Sequence, residues 1–259
     1  MYLTHKSIDV FYTDHGLGNT IVLLHGFLEN SNMWLPFIPD FSKKNRVICI
    51  DLLGHGKTGC LGYIHSMELM AEAVLAVLDH LKIEKSCFIG HSMGGYVALA
   101  FAEKNPNRIN GLCLMNSTAE ADSKERKKNR DRALVMVKQN HKMFIQMAIS
   151  NLFAPKNRLL FSKDIAIIKE EALKTPLQGI IAAIEGMKVR KNRQALLFVD
   201  TYKKMMIIGK NDPVLNGQKL INQIEDTTVK ILEFNGGHMS YIENMYEFSQ
   251  EILHFVENL

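Results

Sequence analysis

Little in this sequence points to a membrane, a secretory route, a metal or a nucleic acid. No apolar run approaches the roughly 18–20 residues of a membrane span, and the longest, such as Ile21–Leu24 and Val47–Ile50, are strand-sized. Met1–Val10 has no long apolar stretch behind a basic flank, so no secretory signal is expected. Neither sign of charge dominates. Against 27 acidic residues stand 31 basic ones, and the formal net charge of +4 suits solubility without arguing for a nucleic-acid or membrane partner. There is no His-Glu-x-x-His string and no paired-cysteine spacing, so neither a metal nor another cofactor is expected. The four cysteines, Cys49, Cys60, Cys87 and Cys113, fall largely inside apolar runs. They read as reduced core thiols of a cytoplasmic protein, in which Asn116-Ser-Thr118 would carry no glycan.

What is present is an ordinary globular composition, 47% hydrophobic and 22% charged, which excludes disorder. A length of 259 residues suits one large domain, or a core with a subdomain, as a monomer or homodimer. Ile8–Thr13 alternates and pairs as a hairpin with residues 2–5, and Asp14–Asn19 is a turn. Short apolar runs then recur as strands buried on both faces: Ile21–Leu24, Arg46–Asp51, Ser86–Gly90 and Ile109–Met115. Helical patterns separate them at residues 31–40, from Ser66 to Leu81 with Ser66 as N-cap, and at Met93–Lys104. That alternation predicts an α/β fold with a doubly wound, mostly parallel sheet. From Thr118 to about Leu196 the rhythm stops, and helical stretches at Ala133–Val137, Met143–Ile149 and Ile165–Leu173 are broken by Pro155 and Pro176. Strands return at Met205–Ile208 and Val229–Phe234, and Glu243–Leu259 is an amphipathic helix. The division this predicts is a core of residues 1–116 and 197–259 carrying a helical insertion at 117–196.

Gly90-His-Ser92-Met-Gly94 lies between an apolar strand and a helix. A strand-to-helix turn of that length strains the central serine and presents its hydroxyl above the sheet, with small residues where the chain crosses itself. The helix beginning at Met93 also aims free N–H groups at the same spot. A serine needs a base oriented by an acid, and in such a sheet these follow in the order acid, then histidine. Asp212, in the loop after Met205–Ile208, and His238, in the loop after Val229–Phe234, stand at the C-terminal ends of their strands, where ligands bind. The expected oxyanion donors are the backbone N–H groups of Met93 and of Phe27 in His25-Gly-Phe27, with His25 fixing that loop. His91 adjoins Ser92 but points away from it. Gly54-His-Gly-Lys-Thr58 resembles the end of a phosphate loop, yet Asp51 stands where that loop needs glycine.

Together, His25-Gly-Phe27, Asp51–Gly56, Gly90–Gly95, Asp212-Pro213 and Gly237-His238 resemble the α/β-hydrolase superfamily over essentially the whole chain. The similarity is greatest to small, cofactor-free members that bear a helical cap, such as enol-lactonases, C–C bond hydrolases, carboxylesterases and haloperoxidase-like esterases. That resemblance implies a Ser92, Asp212, His238 triad and a cap at 117–196 closing over the substrate. Ser92 stands where dehalogenases and epoxide hydrolases of this fold carry aspartate, and Tyr96 stands where members acting on a menaquinone intermediate carry arginine. Arg190-Lys-Asn192 stands where the cap's exit often reads Arg-x-Asp, which implies a missing salt bridge. Trp34, Met143, Met147 and Met187 are candidate lining for an apolar acyl pocket, with ordinary core packing as the alternative for each. The basic run 124–132 reads as a solvated helix face, with attraction of an acidic substrate as the alternative. The function expected is cleavage of a carboxylic ester or related acyl bond in a small molecule, with water as co-substrate. C–C bond cleavage by the same triad and a ligand-binding sensor remain as alternatives.

Overall fold

The apolar runs read as buried strands lie side by side in one sheet. The computed structural model describes residues 1–259 and has eight strands: β1 (Tyr2–His5), β2 (Ile8–His15), β3 (Asn19–Leu24), β4 (Asn45–Ile50), β5 (Ser86–His91), β6 (Ile109–Met115), β7 (Lys203–Gly209) and β8 (Lys230–Phe234). Their spatial order is β1-β2-β4-β3-β5-β6-β7-β8. The first two pairings are antiparallel and the other five parallel. Lys6 and Ser7 make the β1–β2 reversal with φ of 46° and 67°, a primed turn without the Asn-Gly that usually marks one. The parallel strands all end at the same edge, so the loops carrying Phe27, Ser92, Asp212 and His238 converge there.

Strand residues alternate between two apolar layers. Val22, Leu24, Ile48, Phe88 and Leu112 pack under α2 (Met67–His80) and α3 (Met93–Lys104). On the opposite face Ile21, Leu23, Val47, Cys87 and Ile89 meet the one-turn α1 (Ile38–Phe41) and the C-terminal α9 (Met245–Glu257). Ser66 caps α2 as expected, accepting from the Leu69 N–H at 3.1 Å. Two helical stretches are more broken than their pattern predicts. Residues 31–40 form a 3-10 turn at Ser31–Trp34 and then α1, because Pro36 has no N–H to continue the ladder. The last helix is divided at Asn244 (φ −138°, ψ 43°) into α8 (Ser240–Glu243) and α9. A short helix outside the sequence reading, α7 (Gly217–Gln223), starts at Asn216, whose side chain accepts from the Lys219 N–H at 2.9 Å.

Between β6 and β7 there is no strand, only α4 (Lys124–Ser150), α5 (Ser162–Ala172) and α6 (Leu177–Lys188) with short 3-10 turns. Within α4 the chain leaves helical geometry at Asn140 (φ −156°, ψ 85°), whose Oδ1 accepts from the Met143 N–H at 3.0 Å and restarts the helix. All four cysteines are free. No helix is long and apolar enough to cross a membrane.

Glycine sets how closely α6 lies on the core. A Cβ on Gly179 would run into the Gly54 carbonyl, and one on Gly186 into the His65 carbonyl; the His65 N–H bonds the Ala182 carbonyl at 2.9 Å between them. Alanine at a helical glycine normally gains up to about 1 kcal/mol of propensity. Here the backbone collision costs about 3 kcal/mol and decides the sign. Gly186→Ala is therefore expected to lower stability by about 2 kcal/mol, read as a reduced urea midpoint. An unchanged or raised midpoint would mean that α6 does not hold this approach.

Candidate active site

β5 ends at His91 and α3 begins at Met93, so Ser92 alone turns the chain, at φ 48° and ψ −111°. A non-glycine residue there carries on the order of 1–3 kcal/mol of strain. Glycines on both sides permit it. A Cβ on Gly90 would lie 2.5 Å from the Gly94 carbonyl carbon, and one on Gly94 would lie 2.6 Å from that of Leu24. The turn is tied down from β6: the Ser92 N–H donates to the Met115 carbonyl at 2.9 Å, and the Ser117 hydroxyl donates to the Ser92 carbonyl at 2.7 Å.

The loops after β7 and β8 bring Asp212 and His238 to this serine. His238 Nε2 lies 2.9 Å from Ser92 Oγ, and Nδ1 lies 2.8 Å from Asp212 Oδ2. The carboxylate is saturated with donors. Its Oδ1 accepts from the Val214 and Leu215 N–H groups at 2.7 and 3.0 Å, and Oδ2 also accepts from Asn116 Nδ2 at 3.0 Å. Burial alone would push Asp212 up, but the His238 charge and these hydrogen bonds together hold it below the usual carboxylate value. An ionised carboxylate only accepts, so the His238 proton sits on Nδ1 and the Nε2 lone pair faces the serine hydroxyl. The backbone N–H groups of Phe27 and Met93 donate to no protein acceptor. His25 bridges the loops after β3 and β4, donating from Nδ1 to the Gly26 carbonyl at 2.8 Å and accepting at Nε2 from the Leu52 N–H at 2.8 Å. Asp51 also clasps the loop, accepting from the Ser31 and Lys57 N–H groups.

Ser92 and His238 open into a cavity of about 110 Å³ beneath α4 and α6. Of the candidate lining residues, only Met187 reaches it. Trp34 is buried on the opposite side of the sheet, stacked on Phe248 at 6.4 Å. Met143 and Met147, 56% and 46% exposed, occupy one stripe of α4, while Ala148 and Ile149 on its other side, and Leu152 just beyond its end, face the cavity. Arg126 and Arg130 line it as well, so the basic run is not wholly solvated. With Asn at 192 the local Arg-x-Asp bridge is absent, but Arg190 is paired all the same: its Nη1 meets Asp122 Oδ1 at 2.6 Å, a partner 68 residues earlier. A second cavity, about 200 Å³, lies between α5 and the loop after β3; it touches neither Ser92 nor His238, so size does not locate the chemistry.

A buried pair outside the sequence reading underlies the site. Glu29 Oε2 accepts from the Gly26 N–H at 2.6 Å and faces His91 Nδ1 at 2.7 Å, while the Tyr241 hydroxyl donates to Oε1 at 3.1 Å. His91 Nε2 faces the His238 carbonyl at 3.0 Å. Both ring nitrogens thus meet acceptors, as an imidazolium requires. Burial would lower His91, but the Glu29 carboxylate raises it above its ordinary value; burial would raise Glu29, but the His91 charge holds it below. No signal at residue 29 alone could have shown this, because the two partners stand 62 positions apart.

A strained serine between strand and helix, at the C-terminal edge of a mostly parallel sheet, defines an α/β hydrolase. The chain belongs to the alpha/beta hydrolase fold family, whose model matches residues 19–245, and it is a hydrolase of that family. It is 25% identical over 255 residues to 3-oxoadipate enol-lactonase 2 of Acinetobacter baylyi, covering 96% of this chain and 94% of that protein. It is 27% identical over 252 residues to the dihydrolipoyllysine-residue acetyltransferase component of the acetoin cleaving system of Pseudomonas putida; the match takes in 92% of this chain but spans only 64% of that longer protein. Among solved structures, an esterase from Thermogutta terrifontis superposes with a TM-score of 0.91 at 28% identity, covering 97% of this chain and 94% of that one.

Removing one partner of the Glu29–His91 pair leaves a buried charge, so Glu29→Gln is expected to cost about 3–5 kcal/mol. The pH dependence follows from the two directions. The raised His91 contributes fully below its unfolded value of 6.5, and that share fades as pH rises through its folded value. The lowered Glu29 contributes above 4.5, and that share fades as pH falls through its folded value. Urea unfolding across this range should show both slopes in the wild type and neither in Glu29→Gln. Parallel stability curves for the two proteins would contradict the pairing.

Proposed function

We propose that this chain is a serine hydrolase that cleaves a carboxylic ester or related acyl bond of a small substrate through an acyl-enzyme. The observation that carries the proposal is the continuous line from Ser92 Oγ through His238 to Asp212, with contacts of 2.9 and 2.8 Å. Ser92 attacks the carbonyl carbon while His238 Nε2 takes the hydroxyl proton. The negative charge that develops on the carbonyl oxygen is received by the Phe27 and Met93 N–H groups, which have no competing protein acceptor. His238 then protonates the leaving group as the tetrahedral intermediate collapses. In the second half it takes a proton from water, which attacks the acyl-serine, and returns that proton to Ser92 Oγ as the acid is released. Asp212 stays ionised throughout, holds the imidazole in its tautomer and stabilises the imidazolium.

Residues 1–116 and 197–259 would form the catalytic core, and 117–196 the cap that excludes water from it. Ile149, Leu152 and Met187 give the cavity the apolar walls an acyl chain needs. The esterase and enol-lactonase likenesses support the reaction type.

A fluorophosphonate probe tests the proposal. Labelling is expected at Ser92 in the wild type and nowhere in Ser92→Ala, whose turnover of esters should fall on the order of a million-fold. Asp212→Asn should cost on the order of ten-thousand-fold at neutral pH, by favouring the wrong imidazole tautomer. Wild-type protein that takes up no probe would instead favour a ligand-binding role for this fold.

A further inference from the structure

Most of the basic run 124–132 is exposed, including Lys124, Lys127, Lys128 and Arg132. Arg126 and Arg130 differ. They stand four residues apart on one stripe of α4 and line the same cavity as Ser92 and His238. With Arg190 they surround one carboxylate, Asp122, whose side chain is fully buried. Arg190 Nη1 lies 2.6 Å from Oδ1, Arg126 Nε 3.4 Å from Oδ1, and Arg130 Nε 3.1 Å from Oδ2. Three guanidiniums share that single negative charge, leaving two positive charges uncompensated.

The excess is directed at the cavity. Arg190 is buried and lies over the Tyr96 ring at 4.1 Å, which anchors the cluster from beneath. Arg126 and Arg130 keep 34% and 19% of their side-chain surface open and engage Asp122 only through Nε. One Arg126 Nη reaches the Val214 carbonyl at 3.3 Å, and neither Nη of Arg130 donates to any protein atom. No carboxylate at the cavity is free to answer them. Glu29 is taken up by Gly26, His91 and Tyr241, and Asp212 by its four donors. A partly desolvated guanidinium fork with open Nη donors matches a carboxylate in geometry and charge.

We infer that this cavity selects acyl substrates bearing a second, ionised carboxylate: the ester or lactone carbonyl meets Ser92 while the carboxylate pairs with Arg130 and Arg126. The inference rests on the serine-hydrolase reading and names its substrate class. Hydrolysis of such a half-ester adds one water and yields a dicarboxylate and an alcohol; a lactone yields a hydroxy-dicarboxylate. The size of the cavity, about 110 Å³, keeps the chain between the two groups short.

The test compares kcat/KM for mono-p-nitrophenyl glutarate with that for the neutral p-nitrophenyl valerate, in the wild type, Arg130→Gln, Arg126→Gln and Arg130→Lys. The ratio of the two is unaffected by any loss of folded protein. The wild type should prefer the half-ester. That preference should fall roughly ten- to hundredfold in each glutamine variant, the range of one charged hydrogen-bonding partner, and less in Arg130→Lys, which keeps the charge but loses the fork. Added salt should also weaken it. A wild type indifferent to the carboxylate, or a ratio unmoved in the variants, would overturn the inference. Labelling with a neutral fluorophosphonate separates the two levels. A labelled wild type without acid preference sinks only the substrate class, and an unlabelled one sinks the serine-hydrolase reading with it.

Discussion

Between Gly90 and Gly94 the chain passes from β5 into α3, and it does so by holding Ser92 at φ 48° and ψ −111°. Side chains at either glycine would strike neighbouring backbone, so the strand, the turn and the helix must settle together or not at all. The strain at the serine is offset by surroundings that over-determine it. Met115 and Ser117 hold its backbone, and the parallel neighbours β3 and β6 flank the strand that delivers it. Everything else at the sheet's C-terminal edge is placed relative to that turn.

Two chains of buried polar groups radiate from it. One runs Ser92, His238, Asp212 and Asn116, and ends in the Val214 and Leu215 amides. The other runs from the Gly26 amide through Glu29 and His91 to the His238 carbonyl. The second grips both the loop that carries Phe27 and the backbone of His238, so it fixes the distance between that loop and the histidine. The rings of His91 and His238 stand 5.3 Å apart. A positive His91 would oppose a positive His238, and Glu29 at 2.7 Å answers that charge. Above the sheet, the His238 N–H donates to the Leu152 carbonyl at 2.8 Å, so the segment just after α4 is joined to the C-terminal edge of the sheet.

Much of this was legible in the residues. Strand and helix alternate with periods that differ, and Gly-x-Ser-x-Gly carries a mechanical meaning only between the two; Ser92, Asp212 and His238 were therefore readable from order and position. Relations that need three dimensions were not. Glu29 and His91 are polar residues in unremarkable places until the sheet closes, and Asn116 belonged to a sequon that signalled nothing about Asp212. The cavity walls misled because a methionine's chemistry does not tell which stripe of a helix it occupies. Met143 and Met147 fall on the outer side of α4, and Trp34 belongs to the opposite layer of the core. A charge run blurs in the same way. Six bases in nine residues look uniformly solvated, yet a spacing of four turns Arg126 and Arg130 inward while their neighbours face water. Arg190 and Asp122 pair across a gap that no local pattern spans.

The central claim is that Ser92, driven by His238, becomes acylated on the way to product. Mixing the wild-type enzyme with excess p-nitrophenyl acetate, quenching in acid within the first turnover and locating the acetyl group by peptide mass tests it most directly. The account predicts a burst of p-nitrophenol and an acetyl group on Ser92. Acetyl on another residue, or p-nitrophenol released at an undiminished rate by Ser92→Ala, would contradict it.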